Sequence, residues 1–323
     1  MEVIAIDRIP GFRIGQAENT AAGTGCTVVI CDAGAVAGVD VRGGGPASRE
    51  TELLSPLTNQ VPIHAVVLAG GSAFGLDAGG GVMQYLEEHG IGYEVGVAKV
   101  PLVCQADLFD LGVGDVATRP DQQMGYAACV AAENPHFCSG NHGAGTGAMV
   151  GKLYGLKYGM KSGIGSHAVK LGELYVGAIA AVNAMGDIFD WKTGKQIAGL
   201  RTEDGKHLRS TAECMYGNYE TVDNRFLSNT TLGIVLTNGN FNKAQLSKIA
   251  GMAHNGFARS IRPVHTSIDG DCIFVMSHGT VDADIDVVGT LAADVMAEAI
   301  KDAVLNTESA YGYPCARDLQ ENI

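Results

Sequence analysis

The chain has 323 residues, 46% of them hydrophobic, and a formal net charge of −13 at pH 7. This length and hydrophobic content allow a sizeable core in one large domain or two small ones. The negative charge opposes binding to nucleic-acid phosphates and anionic membranes, and no apolar run approaches the ~20 residues of a membrane helix. We therefore predict that neither nucleic acid nor a membrane is a partner.

The first residues, MEVIAIDRIPGF, include acidic side chains and lack both the basic and the continuous apolar segment of a secretory signal. We therefore expect a cytoplasmic protein. There the eight cysteines, which form no Cys-x-x-Cys pair, are expected to be reduced and mostly buried. The 45 glycines are about twice the usual ~7%, which indicates tight turns and close packing between elements.

The first half of the chain predicts strands and then two helices. GCTVVICD and AVAGVDVRGGG indicate two strands with a break at Ala33-Gly34, and HAVVLAGGSAFG indicates a strand that enters a turn. LDAGGGVMQYLEEHG predicts a helix that stops at Gly90 and whose interior glycines allow tight packing against a neighbour. QQMGYAACVAAEN predicts a second helix. The predicted apolar face of the first helix is formed by Leu76, Gly80, Met83 and Leu86.

The second half adds further strands and helices. LYVGAIAAVNAMGDIFD predicts one long strand, whereas residues 190–228 are polar and irregular and predict an excursion over the surface. LGIVL and CIFVMS indicate strands, and NKAQLSKIAGMAHNGFARSI and DVVGTLAADVMAEAIKDAVL indicate helices. Because there is no clean linker and no repeat, we predict one compact domain, residues 1–323, of layered α and β structure.

A glycine-rich stretch, GNHGAGTGAMVGK, ends at Lys152. A Walker loop requires glycine where Thr146 stands and Ser or Thr where Leu153 stands, so that pattern fails. A loose dinucleotide fingerprint remains, and a nucleotide-binding protein that uses the Gly143–Lys152 loop is therefore one alternative function. The other interpretation is a backbone nest that offers N–H groups and Lys152 to a developing negative charge.

The motif HTSIDGD places His265, Asp269 and Asp271 within seven residues. A carboxylate pair beside a histidine could bind a divalent metal, although a full oxygen cage needs more ligands. The same residues could form a turn that caps the strand CIFVMS. They could also share a proton or orient a cationic amine, with their pKa values pushed apart. The motif alone leaves all three open.

Two further motifs carry polar residues at strand ends. In VNAMGD, Asn183 is either a turn residue or an amide donor to an oxyanion. In VDVRGGGPASRETELL, Arg42 could clamp a carboxylate or pair with Glu50 or Glu52.

The stretch SNTTLGIVLTN sets an amide and two hydroxyls at the mouth of an apolar strand. It matches a glycosylation acceptor, a local turn, or a site where Thr230 is a nucleophile. The missing secretory signal weakens the first interpretation.

Six ordered motifs together carry a family likeness: VDVRGGGPASRETELL, LAGGSAFGLDAGGGV, GAGTGAMVGK, AVNAMGD, NTTLGIVLTN and RPVHTSIDGD. Over nearly its whole length the chain resembles the self-cleaving hydrolases that include L-aminopeptidase/D-esterases, β-peptidyl aminopeptidases and nylon-oligomer hydrolases. The resemblance implies an α+β fold of four layers, αββα, like that of N-terminal-nucleophile hydrolases but with different strand connectivity. It also implies cleavage at Asn229–Thr230 into associated fragments 1–229 and 230–323, which frees Thr230 as the nucleophile.

The resemblance also implies roles for other residues. Asn183 resembles the oxyanion donor, Lys152 a charge that steadies the site, and Asp269 and Asp271 the acidic pair that orients Thr230. Many relatives have a catalytic tyrosine where this chain has Phe109, whose ring cannot donate a hydrogen bond. The implied partners are a small peptide or amide substrate and further copies of the chain, in a tetramer or larger.

The chemistry that follows needs neither cofactor nor metal. Thr230 attacks the carbonyl of Asn229, an ester forms, and water releases a new amino terminus at Thr230. The freed α-amino group, with a reference pKa near ~7.7–8.0, can then act as base for the hydroxyl. We therefore predict an autoproteolytically activated peptidase or amidase. Its closest alternative is a self-cleaving acyltransferase of the ornithine acetyltransferase kind.

Overall fold

The computed structural model describes residues 1–219 and 229–320. Its strands, in chain order, are β1 (Glu2–Ile4), β2 (Arg13–Asn19), β3 (Thr24–Val41), β4 (Ala47–Arg49), β5 (Ile63–Ala69), β6 (Tyr93–Glu94), β7 (Lys99–Val100), β8 (Val103–Asp107), β9 (Met149–Val150), β10 (Met160–Lys161), β11 (Ile164–Leu171), β12 (Leu174–Asn183), β13 (Asp187–Phe189), β14 (Gln196–Ala198), β15 (Thr230–Gly239), β16 (Ile261–Arg262) and β17 (Cys272–Val281). Its α-helices are α1 (Ala78–Glu88), α2 (Gln122–Ala131), α3 (Thr211–Gly217), α4 (Lys243–Ser260), α5 (Ile285–Leu305) and α6 (Ala316–Gln320).

Within the described residues, two sheets meet at the long strand β3. Its C-terminal part pairs antiparallel with β17 and continues the order β1–β11–β12–β15–β17–β3. Its N-terminal part pairs with β2 and β5, and β8 and β4 follow. The register against β5 shifts between Ile30 and Ala35. The predicted break at Ala33-Gly34 is therefore wrong: the strand runs through, because changing partners needs only this local irregularity.

Three apolar cores separate four layers. On β15, Leu232 and Ile234 face the core between the two sheets, whereas Val235 faces α4 and α5. Val67 on β5 packs against Tyr85 of α1 in the third core, to which α2 also contributes. Helices therefore cover both outer faces of the paired sheets. The αββα fold implied by the resemblance is confirmed.

The sequence predicted the buried face of helix α4 correctly and that of helix α1 only in part. Helix α4 buries Leu246, Ile249, Ala250, Ala253 and Phe257, as its spacing predicts. Helix α1 begins only after a 3-10 helix over Ser72–Asp77, and its buried face includes Val82 and Tyr85 instead of Met83. The tighter 3-10 turn changes the phase of the side chains.

The interior glycines of α1 do allow close packing. A Cβ on Gly81 would lie 1.8 Å from the carbonyl oxygen of Gln122 at the start of α2. Only a residue without a side chain permits this approach.

Two further expectations need correction. The predicted strand over residues 174–190 is two strands, β12 and β13, since the chain leaves the sheet after Asn183. The segment predicted as an excursion also contains β14 and α3, and it buries Leu200 against Leu153 and Met185. The apolar group Ile197–Leu200 interrupts the polar composition and gives this segment its own packing. The remainder, residues 220–228, lies outside the described residues.

Candidate active site

The predicted nucleophile lies at the first residue of a buried central strand. Thr230 begins β15 and is 5% exposed, and it stands directly opposite Asn183, the last residue of β12. Antiparallel pairing therefore brings together two polar residues that are 47 positions apart in the chain. The apolar strand interiors hold this register, because β15 is buried on both faces and a slip by one residue would move every side chain into the opposite core, where it would not pack.

The hydroxyl of Thr230 lies against the bond predicted to be cleaved. Its Oγ1 donates to the carbonyl oxygen of Asn229 at 2.6 Å. The backbone N–H of Gly270 donates to the same carbonyl oxygen at 2.8 Å. The carbonyl carbon is ~1.23 Å from its oxygen, so it lies at most about 3.8 Å from Oγ1. Nucleophile, carbonyl and a donor to the carbonyl oxygen are thus assembled in the uncleaved chain.

Lys152 and Asn183 form a buried hydrogen-bonded pair beside Thr230. The Nζ of Lys152 donates to the side-chain Oδ1 of Asn183 at 2.8 Å and to its backbone oxygen at 3.0 Å. Asn183 Oδ1 also accepts from the N–H of Met149 at 3.0 Å, and Nδ2 donates to the carbonyl oxygen of Phe109 at 2.9 Å. The side-chain amide of Asn183 is therefore fixed at both ends.

Burial lowers the pKa of Lys152 to about 7, while the charges of Asp269, Asp110 and Asp271 oppose this shift. An ammonium group without solvation is costly, and the neighbouring carboxylates recover only part of that cost. Lys152 can therefore gain or lose a proton near neutral pH, so the steady positive charge that the resemblance implies is only partial there.

The acidic pair lies on the loop between β16 and β17. Asp271 Oδ1 accepts from the N–H of Thr231 at 2.7 Å, and its Oδ2 accepts from His265 Nδ1 at 2.8 Å. Asp269 Oδ2 accepts from the N–H and the hydroxyl of Thr266, at 2.6 and 2.7 Å. Burial, together with the charge of Asp271, raises the pKa of Asp269 to about 6.

The motif RGGG, which follows β3, holds the loop of the acidic pair through backbone hydrogen bonds. The N–H groups of Arg42 and Gly43 donate to the carbonyl oxygen of Asp271, at 2.9 and 3.2 Å. A Cβ on Gly43 would lie 2.3 Å from the carbonyl oxygen of Asp269, so a side chain there would push the two segments apart. The Arg42 side chain pairs with Asp40, two residues earlier at the end of β3, and not with Glu50 or Glu52.

Comparison with known proteins then assigns the family. Residues 5–316 match the sequence profile described as peptidase family S58. The chain belongs to peptidase family S58. An uncharacterized aminopeptidase of Mycobacterium leprae is 36% identical, over 96% of this chain and 92% of its own length. A 6-aminohexanoate-oligomer endohydrolase of Agromyces sp. is 30% identical, over 94% of this chain and 86% of its own.

Solved structures share the fold of this S58 chain. A Burkholderia sp. beta-aminopeptidase superposes with a TM-score of 0.68 at 20% identity, covering 98% of this chain and 92% of that one. The L-aminopeptidase D-Ala-esterase/amidase of Ochrobactrum anthropi, described as a variant of the Ntn hydrolase fold, gives a TM-score of 0.69 at 18% identity, covering 96% and 88%. Family and fold together make this chain a peptidase or amidase with an Ntn-type fold.

The Gly143–Lys152 loop of this S58 peptidase is turned inward. The N–H of Gly143 donates to Glu18, and the N–H of Ala144 donates to Thr27. Lys152 donates to Asn183. Groups that would have to hold a phosphate thus bond within the protein, which counts against the nucleotide-binding alternative.

The described residues contain neither a group of metal ligands nor a helix that could span a membrane. In residues 1–219 and 229–320, no three His, Cys, Asp or Glu side chains are grouped so as to hold a metal ion. In the same part of the chain, no helix combines the length and apolar character needed to cross a bilayer. The expectation of a metal-free reaction stays a prediction.

Two buried charged residues near the site, Lys161 and Asp110, escaped the sequence analysis. The Nζ of Lys161 donates to the carbonyl oxygens of Gly145 and Ala148, and the carboxylate of Asp110 accepts from the N–H of Gly71. His265, which is half-buried, was noted within the motif HTSIDGD but was given no role toward Thr230. The available signal for Lys161 and Asp110 was that each of these charged residues is flanked directly by small or apolar ones, as in GMKSG and LFDLG.

Proposed function

We propose that this chain is an amide-bond hydrolase that activates itself by cleavage at Asn229–Thr230. The observation that carries the proposal is the contact of Thr230 Oγ1 with the carbonyl oxygen of Asn229 at 2.6 Å, an oxygen that the N–H of Gly270 also contacts. An N–H already aimed at this oxygen can stabilise the negative charge that develops on it.

Self-cleavage then proceeds in two steps. Oγ1 of Thr230 attacks the carbonyl carbon of Asn229, the C–N bond breaks, and the acyl group passes from nitrogen to oxygen. Water hydrolyses the resulting ester, which returns the hydroxyl of Thr230 and leaves a carboxylate on Asn229. Lys152 and Asp269, whose pKa values lie near 7 and near 6, are groups of the site that can exchange protons at neutral pH.

In the mature enzyme the α-amino group of Thr230 becomes the base for its own hydroxyl. Asn183 would offer an N–H to the substrate oxyanion, since Nδ2 carries two hydrogens and the Phe109 carbonyl takes one. Lys152 and the N–H of Met149 hold the other end of that amide. This preorganisation makes the donor effective, because nothing has to turn during the reaction.

We further propose substrates that carry a free amino group. Asp269 and Asp271 lie beside the nucleophile, and the chain as a whole carries −13, which favours a cationic amine over an anion. Relatives named as aminopeptidases and as a 6-aminohexanoate-oligomer endohydrolase define two substrate sets for the assay: aminoacyl amides and 6-aminohexanoate oligomers. N-acetylated forms of both are the controls, and their equal cleavage would remove the amine requirement.

The decisive experiment compares two neighbouring threonines. Intact mass and N-terminal sequencing should give a second chain that begins Thr-Thr-Leu-Gly. Thr230→Val should leave one chain without activity. Thr231→Val is the matched control, because the buried Thr231 hydroxyl has no hydrogen-bond partner in the described part of the chain, and its loss should leave cleavage intact. Cleavage in Thr230→Val, or its loss in Thr231→Val alone, would contradict the choice of nucleophile.

The same purified protein separates hydrolysis from acyl transfer. Hydrolysis predicts that an added acceptor amine leaves the release of free acid unchanged. If most of the acyl group passed to the amine instead, the acyltransferase alternative would be correct.

A further inference from the structure

His265 has an unusual backbone conformation and an unusual pair of bonds. Its φ of 57° is left-handed, which non-glycine residues seldom adopt. In this conformation both its backbone N–H and its ring Nδ1 reach one oxygen, Oδ2 of Asp271, at 3.1 and 2.8 Å. A carboxylate oxygen accepts, so Nδ1 carries the hydrogen. Strain of this kind persists only where the surrounding structure imposes it, and it is concentrated at functional sites.

The other oxygen of Asp271 takes the place of a missing strand partner. The parallel pairing of β15 with β17 begins at Leu232 opposite Cys272, so Thr231 lies one residue beyond it. There Asp271 Oδ1 accepts from the N–H of Thr231 at 2.7 Å. A chain of hydrogen bonds therefore runs from His265 through Asp271 to the residue next to Thr230.

We propose that His265 is a positioning residue for the nucleophile, an inference that rests on the proposed function. Before cleavage Thr230 is tethered on both sides. After cleavage it is a chain terminus, and termini fray unless they are tied down. The hydrogen bond from the N–H of Thr231 to Asp271 then still holds the new terminus in place. The two donors of His265 keep the carboxylate of Asp271 from rotating. Loss of His265 should therefore impair turnover more than self-cleavage.

The surroundings of His265 supply a matched control. Its ring lies 4.7 Å, centroid to centroid, from the ring of His254 and 5.9 Å from that of Phe257, both on α4. His254 donates instead to the backbone oxygen of Asp40 at 3.0 Å, and burial lowers its pKa to about 4. It is therefore a neutral, buried histidine in the same cluster but outside the chain of bonds to Thr231.

The test measures kcat and KM on fully cleaved enzyme. His265→Gly accepts the left-handed backbone but loses the ring donor, and it should lower kcat about ten- to a hundredfold with KM within about threefold. His265→Asn also accepts that backbone and supplies Nδ2–H, so it should recover kcat to within about fivefold of wild type. His254→Leu should stay within about threefold of wild type in both constants.

Wild-type kcat in His265→Gly, or no recovery in His265→Asn, would overturn the inference. If His265→Gly does not fold, His265→Asp replaces it, because Asp has the shape of Asn but lacks the N–H donor. Equal kcat values in His265→Asp and His265→Asn would then also overturn the inference. Failure of the proposed function has a different signature, namely activity that survives Thr230→Val.

Discussion

Two lysines, Lys152 and Lys161, are both completely buried, and burial lowers the pKa of each to about 7. Their surroundings differ. Lys152 bonds the side chain of Asn183, which stands opposite Thr230, and it feels the charges of Asp269 and Asp271. Lys161 donates to the main-chain oxygens of Gly145, Ala148 and Ser162.

Burial and a lowered pKa are the same in both lysines, so they do not by themselves distinguish the proposed site residue Lys152 from Lys161. Structural groups are perturbed in the same way as catalytic ones. The two lysines differ in their hydrogen-bond acceptors. Lys152 bonds a side-chain amide, that of Asn183, which can also take part in a reaction, whereas Lys161 bonds main-chain carbonyls and fixes a turn. The two clusters lie side by side, because Lys161 pairs with Met149 across β9 and β10, and the N–H of Met149 bonds Asn183.

The largest expected difference between the two lysines is in self-cleavage. Lys152→Met should slow cleavage at Asn229–Thr230 on the order of 10²- to 10³-fold, because Asn183 loses its charged partner and the site loses a proton-exchanging group. Lys161→Met, the matched control, should slow it less than about tenfold. Time courses by intact mass measure both, and equal slowing would mean that the lysines act alike.

A smaller effect is expected on the pH profile of the mature enzyme. The rate should rise through the α-amino range as the ammonium of Thr230 loses its proton. Asp269→Asn removes a negative charge that favours the ammonium, so the rising limb should move about half to one pH unit lower. Asp110→Asn is the control, since its carboxyl also has a pKa near 6 but bonds Gly71 and Thr24. Equal shifts in both variants would deny Asp269 a special role.

The smallest effect concerns stability and treats the two lysines as equals. A lysine with a pKa of about 7 in the folded protein and an ordinary pKa of 10.5 binds more protons when unfolded, so the free energy of unfolding rises with pH above 7. Each lysine should contribute about 1 kcal/mol between pH 7 and 8. In urea titrations on a Thr230→Val background, Lys152→Met and Lys161→Met should each reduce the rise in unfolding free energy between pH 7 and 8 by about 1 kcal/mol. If the unfolding free energy of either variant still rose as much with pH as that of the parent, the pKa of the replaced lysine would not be lowered.

The four-layer fold was implied by the family resemblance, and the apolar runs before Asn183 and after Thr230 predicted the two strands. That these strands are neighbours could not be predicted from either run alone; their antiparallel pairing in the folded sheet sets Asn183 opposite Thr230. The left-handed backbone of His265 could not be predicted, because it arises from contacts with Asp271 in the folded loop. The pairing of Arg42 with Glu50 or Glu52 was the wrong alternative, since the carboxylate of Asp40, two residues earlier on an extended backbone, lies on the same side.

The position of the strands that follow Thr230 has a consequence for self-cleavage as proposed. Strands β15 and β17 of fragment 230–323 lie side by side in the middle of a sheet, hydrogen-bonded to β12 on one flank and to β3 on the other. Neither flank can release the fragment without exposing strand edges and apolar cores. A chain cut before Thr230 would therefore dissociate only by unfolding. Refolding would then require two fragments to associate, so the denaturation midpoint should rise more steeply with protein concentration in the cut form than in the intact one.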